Sequence, residues 1–418
     1  MKVLFIVNEC NPEWASVPLL GYQFFDGISR LSDVTLVTHE RNKCNLEKVR
    51  DGRDICYISE NRYFSKYYKM INRLILRRGV NWPLHHSLTY PLYWEFNNKV
   101  YNLFCKRVQR GEYSVVHVMT PILPRYSYKI VNACEQTPFV VGPVNGGLPF
   151  PESFGDVATK EHSKYNFLRG FSRCHPGYRK TYRSADMVLA GSSYTYKYLK
   201  ELFSLESSRL RIFFENGILK EFISPGSFRK TSPENEPIRL LFVGRLVPYK
   251  GADMILSALH HLNSRKGRKA TLTIVGDGQE KANLKNQAAV LHLNDVVHFT
   301  GWVDQKATLE YYRQSDIFCF PSIREFGGAV VLEALATGLP CIITNYGGIS
   351  EYVTDETGFK IDPKSREHIV AKLAEIIQML ADNPAIRRKL SENAVSHAEC
   401  FEWGNKAKQM VSLYQSLV

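Results

Sequence analysis

Two cations and two carboxylates carry the chemistry legible in this chain of 418 residues. Arg245 and Lys250 lie in the run Gly244-Arg245-Leu246-Val247-Pro248-Tyr249-Lys250-Gly251, directly after an apolar stretch. Two positive charges on a glycine-bounded loop can grip a diphosphate through charge-assisted hydrogen bonds. The G-x-x-x-x-G-K order of a Walker loop is absent. Glu325 stands in a second glycine loop, and Glu333 falls about two turns into the helix that follows it. A carboxylate beside a phosphate site does not bind the phosphate, but it accepts hydrogen bonds from sugar hydroxyls. Taken alone, the pair reads as a helix-start acid and a solvated helical Glu. No Asp-x-Asp occurs, so a metal-bridged diphosphate lacks its usual ligands. Arg245, Lys250 and helix N–H groups are then the positive charges left to meet a diphosphate.

Strands and glycine turns must position these groups. Ile317–Phe320 is an apolar run that reads as a buried strand, ended by Pro321-Ser322. A loop with Arg324, Glu325, Gly327 and Gly328 leads into a helix over 329–337, closed by Gly338 and Pro340. A second strand, Cys341–Thr344, ends in Gly347-Gly348. Two strands ending in neighbouring glycine loops mark the edge where open α/β sheets bind ligands. The start of the helix between them offers unpaired N–H groups and a positive dipole end. Upstream, the spacing predicts strands over 240–243, 272–275 and 297–299, alternating with helices over 252–262, 280–291 and 305–314. That alternation implies parallel strands with crossover helices. The N-terminal half opens as a β-α-β unit, with a strand over Lys2–Val7, a helix over 18–30 and a strand over 34–38. Further strands fall at 115–119, 139–141 and Met187–Ala190. Residues 224–237, rich in Pro, Ser and Gly, read as a linker. A dinucleotide-dependent dehydrogenase is not indicated, because no G-x-G-x-x-G follows the first strand.

Residues 317–352 resemble the E-x7-E signature of retaining glycosyltransferases of family four, the glycosyl transferases group 1 with the GT-B fold. The resemblance rests on Pro321-Ser322, Glu325, Glu333-Ala334, Gly338-x-Pro340 and Gly347-Gly348-x-x-Glu351. The loops Gly244-Arg245 to Lys250-Gly251 and Gly276-Asp277-Gly278 are similar to further family motifs, in family order. The likeness is specific over 240–363 and weaker in the N-terminal half. It implies an α/β protein with two Rossmann-like doubly wound parallel-sheet domains facing across a cleft, and a C-terminal helix crossing back to the first. The implied division is an acceptor-side domain at 1–225, a linker at 226–237, a nucleotide-sugar domain at 238–403 and a returning helix at 404–418.

The resemblance also assigns roles. Arg245 and Lys250 would hold the donor diphosphate, Glu325 the donor-sugar hydroxyls and Glu333 the nucleotide ribose. Gly244, Gly276 and Gly278 would lie beside the nucleotide, Val303 near the base, and the amides of Gly327, Gly328 and Ala329 at the donor. The chain departs from the family pattern in four places. Glu325-Phe326-Gly327-Gly328 replaces E-G-F-G. The first loop has Glu9 and Ser16 but no Gly-Gly. Met119 stands where the second His of H-x-H belongs, leaving His117, and Asn145-Gly146 replaces a His-Gly turn. Glu9, Ser16, His117, Asn145 and Gly146 therefore stand as acceptor or sugar candidates, His117 also reading as structural and Asn145-Gly146 as a structural turn.

The implied reaction is retaining transfer of a hexosyl group from a nucleotide-diphosphate sugar to an acceptor hydroxyl, in polysaccharide, glycolipid or glycoconjugate biosynthesis. UDP is favoured over GDP or ADP, and no metal or other cofactor is expected. The alternatives are a soluble sugar or sugar-phosphate acceptor, as in sucrose-phosphate synthase-like enzymes, and a catalytically silent nucleotide-sugar-binding homologue.

Composition bounds the partners. Apolar residues make up 44% of the chain, enough for two or three cores, yet no run approaches the roughly 20 apolar residues of a membrane span. The N-terminal VLFIV is too short for a secretory segment. Nine cysteines are scattered without a C-x-x-C, which fits a reducing cytoplasm. The net charge of +13 lies wholly in residues 1–230, with 33 Lys/Arg against 20 Asp/Glu. Such asymmetry suggests an anionic partner for that half, a membrane surface, an acidic acceptor or nucleic acid, or else solubility alone, and of these no nucleic-acid partner is expected. Within it, Arg62, Lys66, Lys69, Arg73 and Arg77 recur at helical steps, and the spacing puts Tyr63, Phe64, Tyr67, Ile71, Leu74 and Ile75 on the opposite face. Such a helix suits an anionic membrane, and equally a solvated outer helix. A second basic, aromatic stretch runs over 156–183.

Overall fold

The computed structural model describes residues 1–75, 82–161, 175, 177–223, 236–264 and 270–418. The expected linker at 226–237 falls largely outside the described residues. So do Arg77 of the first basic stretch and Lys164, Arg169 and Arg173 of the second.

The chain divides into two compact units. The first comprises Met1–Gly147, His162–Glu215 and Trp403–Val418. Its strands are Lys2–Val7 (β1), Asp33–His39 (β2), Asp54–Ile58 (β3), Val115–Thr120 (β4), Phe139–Val144 (β5), Met187–Ala190 (β6) and Leu210–Ile212 (β7). They form one parallel sheet in the order β3-β2-β1-β4-β5-β6-β7. Alternate residues of β1 enter two cores, one on each face of the sheet. Leu4 and Ile6 pack with Tyr93, Phe96, Val100 and Phe104 of the helix Trp82–Gln109. Val3, Phe5 and Val7 pack with Phe24, Phe25 and Ile28 of the helix Val17–Ser29. A strand buried on both faces must be apolar along its length, which is why VLFIV is uninterrupted.

The helix Trp403–Leu417 belongs to this first unit, as the resemblance implies. It lies against Val17–Ser29. Trp403 meets Phe24 edge-on at 5.2 Å, and Gly27 leaves room for Ala407. Met410, Leu413 and Tyr414 complete the core on that face. Lys406 is buried and stays satisfied by donating to the carbonyl of Phe214 at 2.5 Å, beside the Phe213 ring.

The second unit comprises Leu148–Glu161 and Asn216–Glu402. Its strands are Ile238–Val243 (β8), Ala270–Val275 (β9), Val297–Gly301 (β10), Ile317–Phe320 (β11), Cys341–Thr344 (β12) and Gly358–Ile361 (β13). They form a parallel sheet in the order β10-β9-β8-β11-β12-β13. Strand order therefore reverses between β8 and β11, which pair at Ile317 with Leu240 and Phe318 with Leu241. At such a reversal the following helices leave on opposite sides, and the carboxyl ends of the two strands border a crevice.

Leu148–Glu161 packs with the second unit, whereas the sequence division gave it to the first. The cause is tertiary: Arg324 Nε donates to Leu148 O at 3.0 Å, and Tyr346 Oη donates to Pro149 O at 3.2 Å. Among the described residues no helix is long and apolar enough to cross a membrane.

Candidate donor site

The site is built from loops that leave the carboxyl ends of β8, β9, β11 and β12. The loop after β8 lies directly on the loop after β9. Gly244 N donates to Val275 O and Leu246 N to Asp277 O, each at 2.9 Å. A Cβ on Gly276 would stand 1.9 Å from Gly244 O, so only glycine lets the two backbones touch. The loop after β11 lies in the same way on the turn after β12. Gly348 N donates to Glu325 O at 3.0 Å, and a Cβ on Gly348 would stand 1.8 Å from Phe326 O. These close approaches explain why glycines punctuate the sequence just after each strand.

Lys250 and Glu325 meet across the β8 and β11 loops in an ion pair, Nζ to Oε2. The pair is sheltered, with the two side chains 10% and 15% exposed. Lys250 Nζ also lies 4.8 Å from the centre of the Phe320 ring, where the ring face favours a cation. Ser322 Oγ lies 3.2 Å from Tyr249 O and 3.5 Å from Glu325 Oε2, fixing the base of the loop. Arg245, the other expected cation, is exposed on the same loop and donates to Tyr249 Oη at 3.1 Å. Gly328 starts the helix Ala329–Ala336 in the left-handed region (φ 70°), and Gly327 before it is buried.

Glu333 is buried in that helix, not solvated. Its Oε1 accepts from Gln305 Nε2 at 2.7 Å and its Oε2 from Tyr312 Oη at 2.9 Å. Burial raises its pKa, and the two donors offset only part of the rise. Gln305 and Tyr312 belong to the helix Gln305–Gln314, so Glu333 ties two helices beside the crevice. Gly276 N donates to Gly301 O at 2.9 Å, which brings the loop of Gly278 and that of Val303 together. Val303 is half-buried, and Trp302 beside it is 74% exposed.

Two charged residues at this site were not singled out in the sequence. Arg324 is half-buried, with its guanidinium 4.8 Å from the Phe150 ring and 5.1 Å from the Phe326 ring. Burial pulls its pKa down, and Tyr249, Glu161 and Glu325 support its charge. Glu161 ends the Leu148–Glu161 segment. Its Oε1 is buried without a hydrogen-bond partner among the described residues, and burial raises its pKa against the lowering effect of Arg245 and Arg324. Neither has a sequence signal beyond its charge, because each acquires its setting from a segment distant in the chain.

The first-unit candidates fare differently. Glu9 and Ser16 are exposed in the loop after β1, where Glu9 N donates to Thr120 Oγ1 at 3.1 Å. Ser16 starts the helix Val17–Ser29 at φ 71°, a left-handed conformation that strains any residue but glycine. His117 is fully buried. Its Nδ1 pairs with Tyr414 Oη and its Nε2 with Gly142 O, each at 2.5 Å. Burial pulls its pKa down to about 4, so the ring is neutral, accepts from Tyr414 and donates to Gly142. His117 is thus a core residue, and the sugar-contact reading is corrected. Asn145 is also enclosed. Its Nδ2 donates to Glu215, its Oδ1 accepts from Thr195 Oγ1 at 2.8 Å, and Gly146 N donates to the same hydroxyl at 3.3 Å. Asn145 and Gly146 lock the loop after β5 internally, so the structural reading replaces the acceptor contact.

Known proteins resemble this chain in sequence and in fold. Residues 225–397 match the family described as glycosyl transferases group 1. A D-inositol 3-phosphate glycosyltransferase of Acidothermus cellulolyticus is 30% identical over 244 residues, 56% of this chain and 53% of that protein. One of the same name from Streptomyces avermitilis is 32% identical over 183 residues, 42% of this chain and 39% of that protein. The chain thus spans about half the length of the curated relatives it matches. Among solved structures, Anabaena Alr3699/HepE in complex with UDP aligns over 100% of both chains with a TM-score of 0.63 at 17% identity. Sucrose-phosphate synthase from Thermosynechococcus elongatus aligns over 100% of this chain and 98% of that one, TM-score 0.63, at 18% identity. The fold is GT-B. The likeness to the glycosyl transferases group 1 family is carried by residues 225–397.

Proposed function

We propose that this protein transfers a hexosyl group from a nucleoside-diphosphate sugar, with UDP as the nucleotide, to an acceptor hydroxyl with retention of anomeric configuration. The observation that carries the reading is the sheltered ion pair of Lys250 and Glu325 at the β8/β11 crevice. It puts a cation suited to a diphosphate and an acceptor of sugar hydroxyl hydrogen bonds in direct contact. A donor diphosphate draws Lys250 and the exposed Arg245, and Glu325 is then released to accept from the hydroxyls of the sugar. As the glycosidic C–O bond breaks, charge grows on the diphosphate. Lys250, Arg245 and the amides of Gly327, Gly328 and Ala329 at the helix start stabilise it. This positive charge suffices without a metal. Each oxygen of Glu333 accepts one bond within the protein and has a further lone pair for a ribose hydroxyl. No protein nucleophile is required: the acceptor attacks the oxocarbenium-like sugar from the face the diphosphate leaves, and the departing phosphate takes the acceptor proton.

On the acceptor side we favour a lipid-linked or polysaccharide hydroxyl. The names of the relatives support a second reading, a soluble phosphorylated polyol or sugar as acceptor, since D-inositol 3-phosphate stands in those names. A catalytically silent homologue is disfavoured by the presence of all four of Arg245, Lys250, Glu325 and Glu333. Incubation with UDP-glucose or UDP-galactose and an acceptor panel, followed by NMR of the product, tests the proposal. The account expects an α-linked product from the α-linked donor, and a β-linked product contradicts it.

A further inference from the structure

The helix Arg62–Ile75 in the first unit presents a surface that sequence periodicity alone did not describe. Phe64, Tyr67 and Tyr68 are turned partly inward and Ile71 is buried. Tyr67 Oη donates to Leu88 O at 3.1 Å, and the Arg41 guanidinium stacks 3.5 Å from the centre of the Tyr68 ring. His85 Nε2 meets Asn72 Oδ1 at 3.0 Å, and Asn61 N donates to Glu95 Oε1 at 2.9 Å. These bonds hold the helix antiparallel to Trp82–Gln109 and fix which side faces outward. That outer side carries Arg62, Lys66, Lys69 and Arg73, all exposed. Three large apolar side chains share it: Tyr63 at 82% exposure, Met70 at 51% and Leu74 at 67%. At helical spacing, positions 63, 66, 70 and 74 form one row, and 62, 66, 69 and 73 the next. The helix contains no acidic residue, and the nearby Glu95 is paired with Lys99.

A helix that is merely solvated gains nothing from exposing a tyrosine, a methionine and a leucine among its cations. An interfacial helix uses both kinds: cations reach the phosphates of the headgroups, and apolar side chains enter the boundary below them. We infer that the outer face of Arg62–Ile75 docks on an anionic bilayer, with Lys66, Lys69 and Arg73 at the headgroups and Tyr63, Met70 and Leu74 inserted. The excess of basic residues over 1–230 strengthens the approach to such a surface and gives it a salt-dependent range. A polyanion such as nucleic acid would use the cations but give the three apolar side chains no role. The inference deepens the acceptor side of the proposed function, and rests on it only in naming a lipid-linked acceptor.

Sedimentation of the full chain with phosphatidylcholine vesicles, with and without phosphatidylglycerol, tests it. Binding is expected only with phosphatidylglycerol, and high salt should weaken it. Lys66→Glu with Arg73→Glu should lower the partition by at least about tenfold. Tyr63→Ser with Leu74→Ser should also lower it, while leaving binding to a single-stranded oligonucleotide unchanged. To keep the test independent of variant folding, Met70→Cys carrying an environment-sensitive dye should shift to the blue on phosphatidylglycerol vesicles. No binding by the parent chain, an unchanged partition in the charge variant, or no dye shift would overturn the docking. Equal partition of the serine variant would reassign the face to a soluble polyanion. UDP binding, measured on the same preparations, reports separately on the donor reading.

Discussion

Lys250 and Glu325 are 75 positions apart in the chain and in contact at the second unit's crevice. Their pairing follows from topology. The strands that precede them, β8 and β11, are hydrogen-bonded neighbours where strand order reverses, so their following loops must meet. Each charge on its own would pay heavily for its partial burial; together they tolerate it until a ligand offers each a better partner.

Removing the cations should separate stability from turnover. Arg245→Ala removes an exposed group and is expected to lower turnover by about 10²-fold with an unchanged melting temperature. Lys250→Ala is expected to lower turnover at least as far and also to destabilise, by roughly 3 kcal/mol, because Glu325 is left sheltered without its cation. Steady-state kinetics and denaturant unfolding of both variants check this, and near-normal rates would remove the diphosphate role.

The two carboxylates should fail differently. Glu325→Ala is expected to impair transfer while retaining most UDP affinity, whereas Glu333→Ala weakens UDP itself. The split follows from position, since Glu325 faces Lys250 in the loop and Glu333 is held between Gln305 and Tyr312 in the second helical turn. Calorimetric titration with UDP distinguishes the two, and equal losses would refute the assignment.

Transfer should persist in EDTA, because the positive charge at the crevice is supplied by Arg245, Lys250 and helix amides. A rate abolished by the chelator and restored by manganese would show that a metal carries part of that load.

The first unit should lose stability in mild acid through His117. Its folded pKa is pulled down to about 4, below the ordinary value of 6.5, so the unfolded chain binds the proton first. Its contribution is therefore complete above about pH 6.5 and falls away toward pH 4, by roughly 3 kcal/mol in all. His39, also drawn down to about 4 by burial, acts in the same direction. Unfolding free energies at pH 7.5 and pH 5 measure the loss, and His117→Asn should flatten the dependence. An identical pH profile in that variant would contradict the core assignment.

Most strands of the two sheets were legible because they are short apolar runs stopped by Pro and Gly, but the edge strands Asp54–Ile58, Leu210–Ile212 and Gly358–Ile361 were not read. Ile317–Phe320, Cys341–Thr344 and the helix Gln305–Gln314 have the ends that their punctuation gives. The cation loop was legible for the same reason, since glycines crowd where backbones touch. Residues whose roles depend on distant partners were not. His117 looks like a strand histidine until Tyr414, 297 positions later, closes on it. Leu148–Glu161 follows a first-unit strand in sequence, yet Arg324, 176 positions beyond Leu148, holds it to the second unit. Periodicity set Tyr63 and Leu74 opposite the basic residues of their helix, and only the packing of its inner side shows that they stand among them.

Calorimetric titration of UDP into the intact protein and into Lys250→Ala tests the central claim without knowledge of the acceptor. The account predicts that UDP binds the parent chain and that the variant loses at least about tenfold in affinity, the worth of one charge-assisted contact to phosphate. No UDP binding by the parent, or equal affinity in the two proteins, would contradict it.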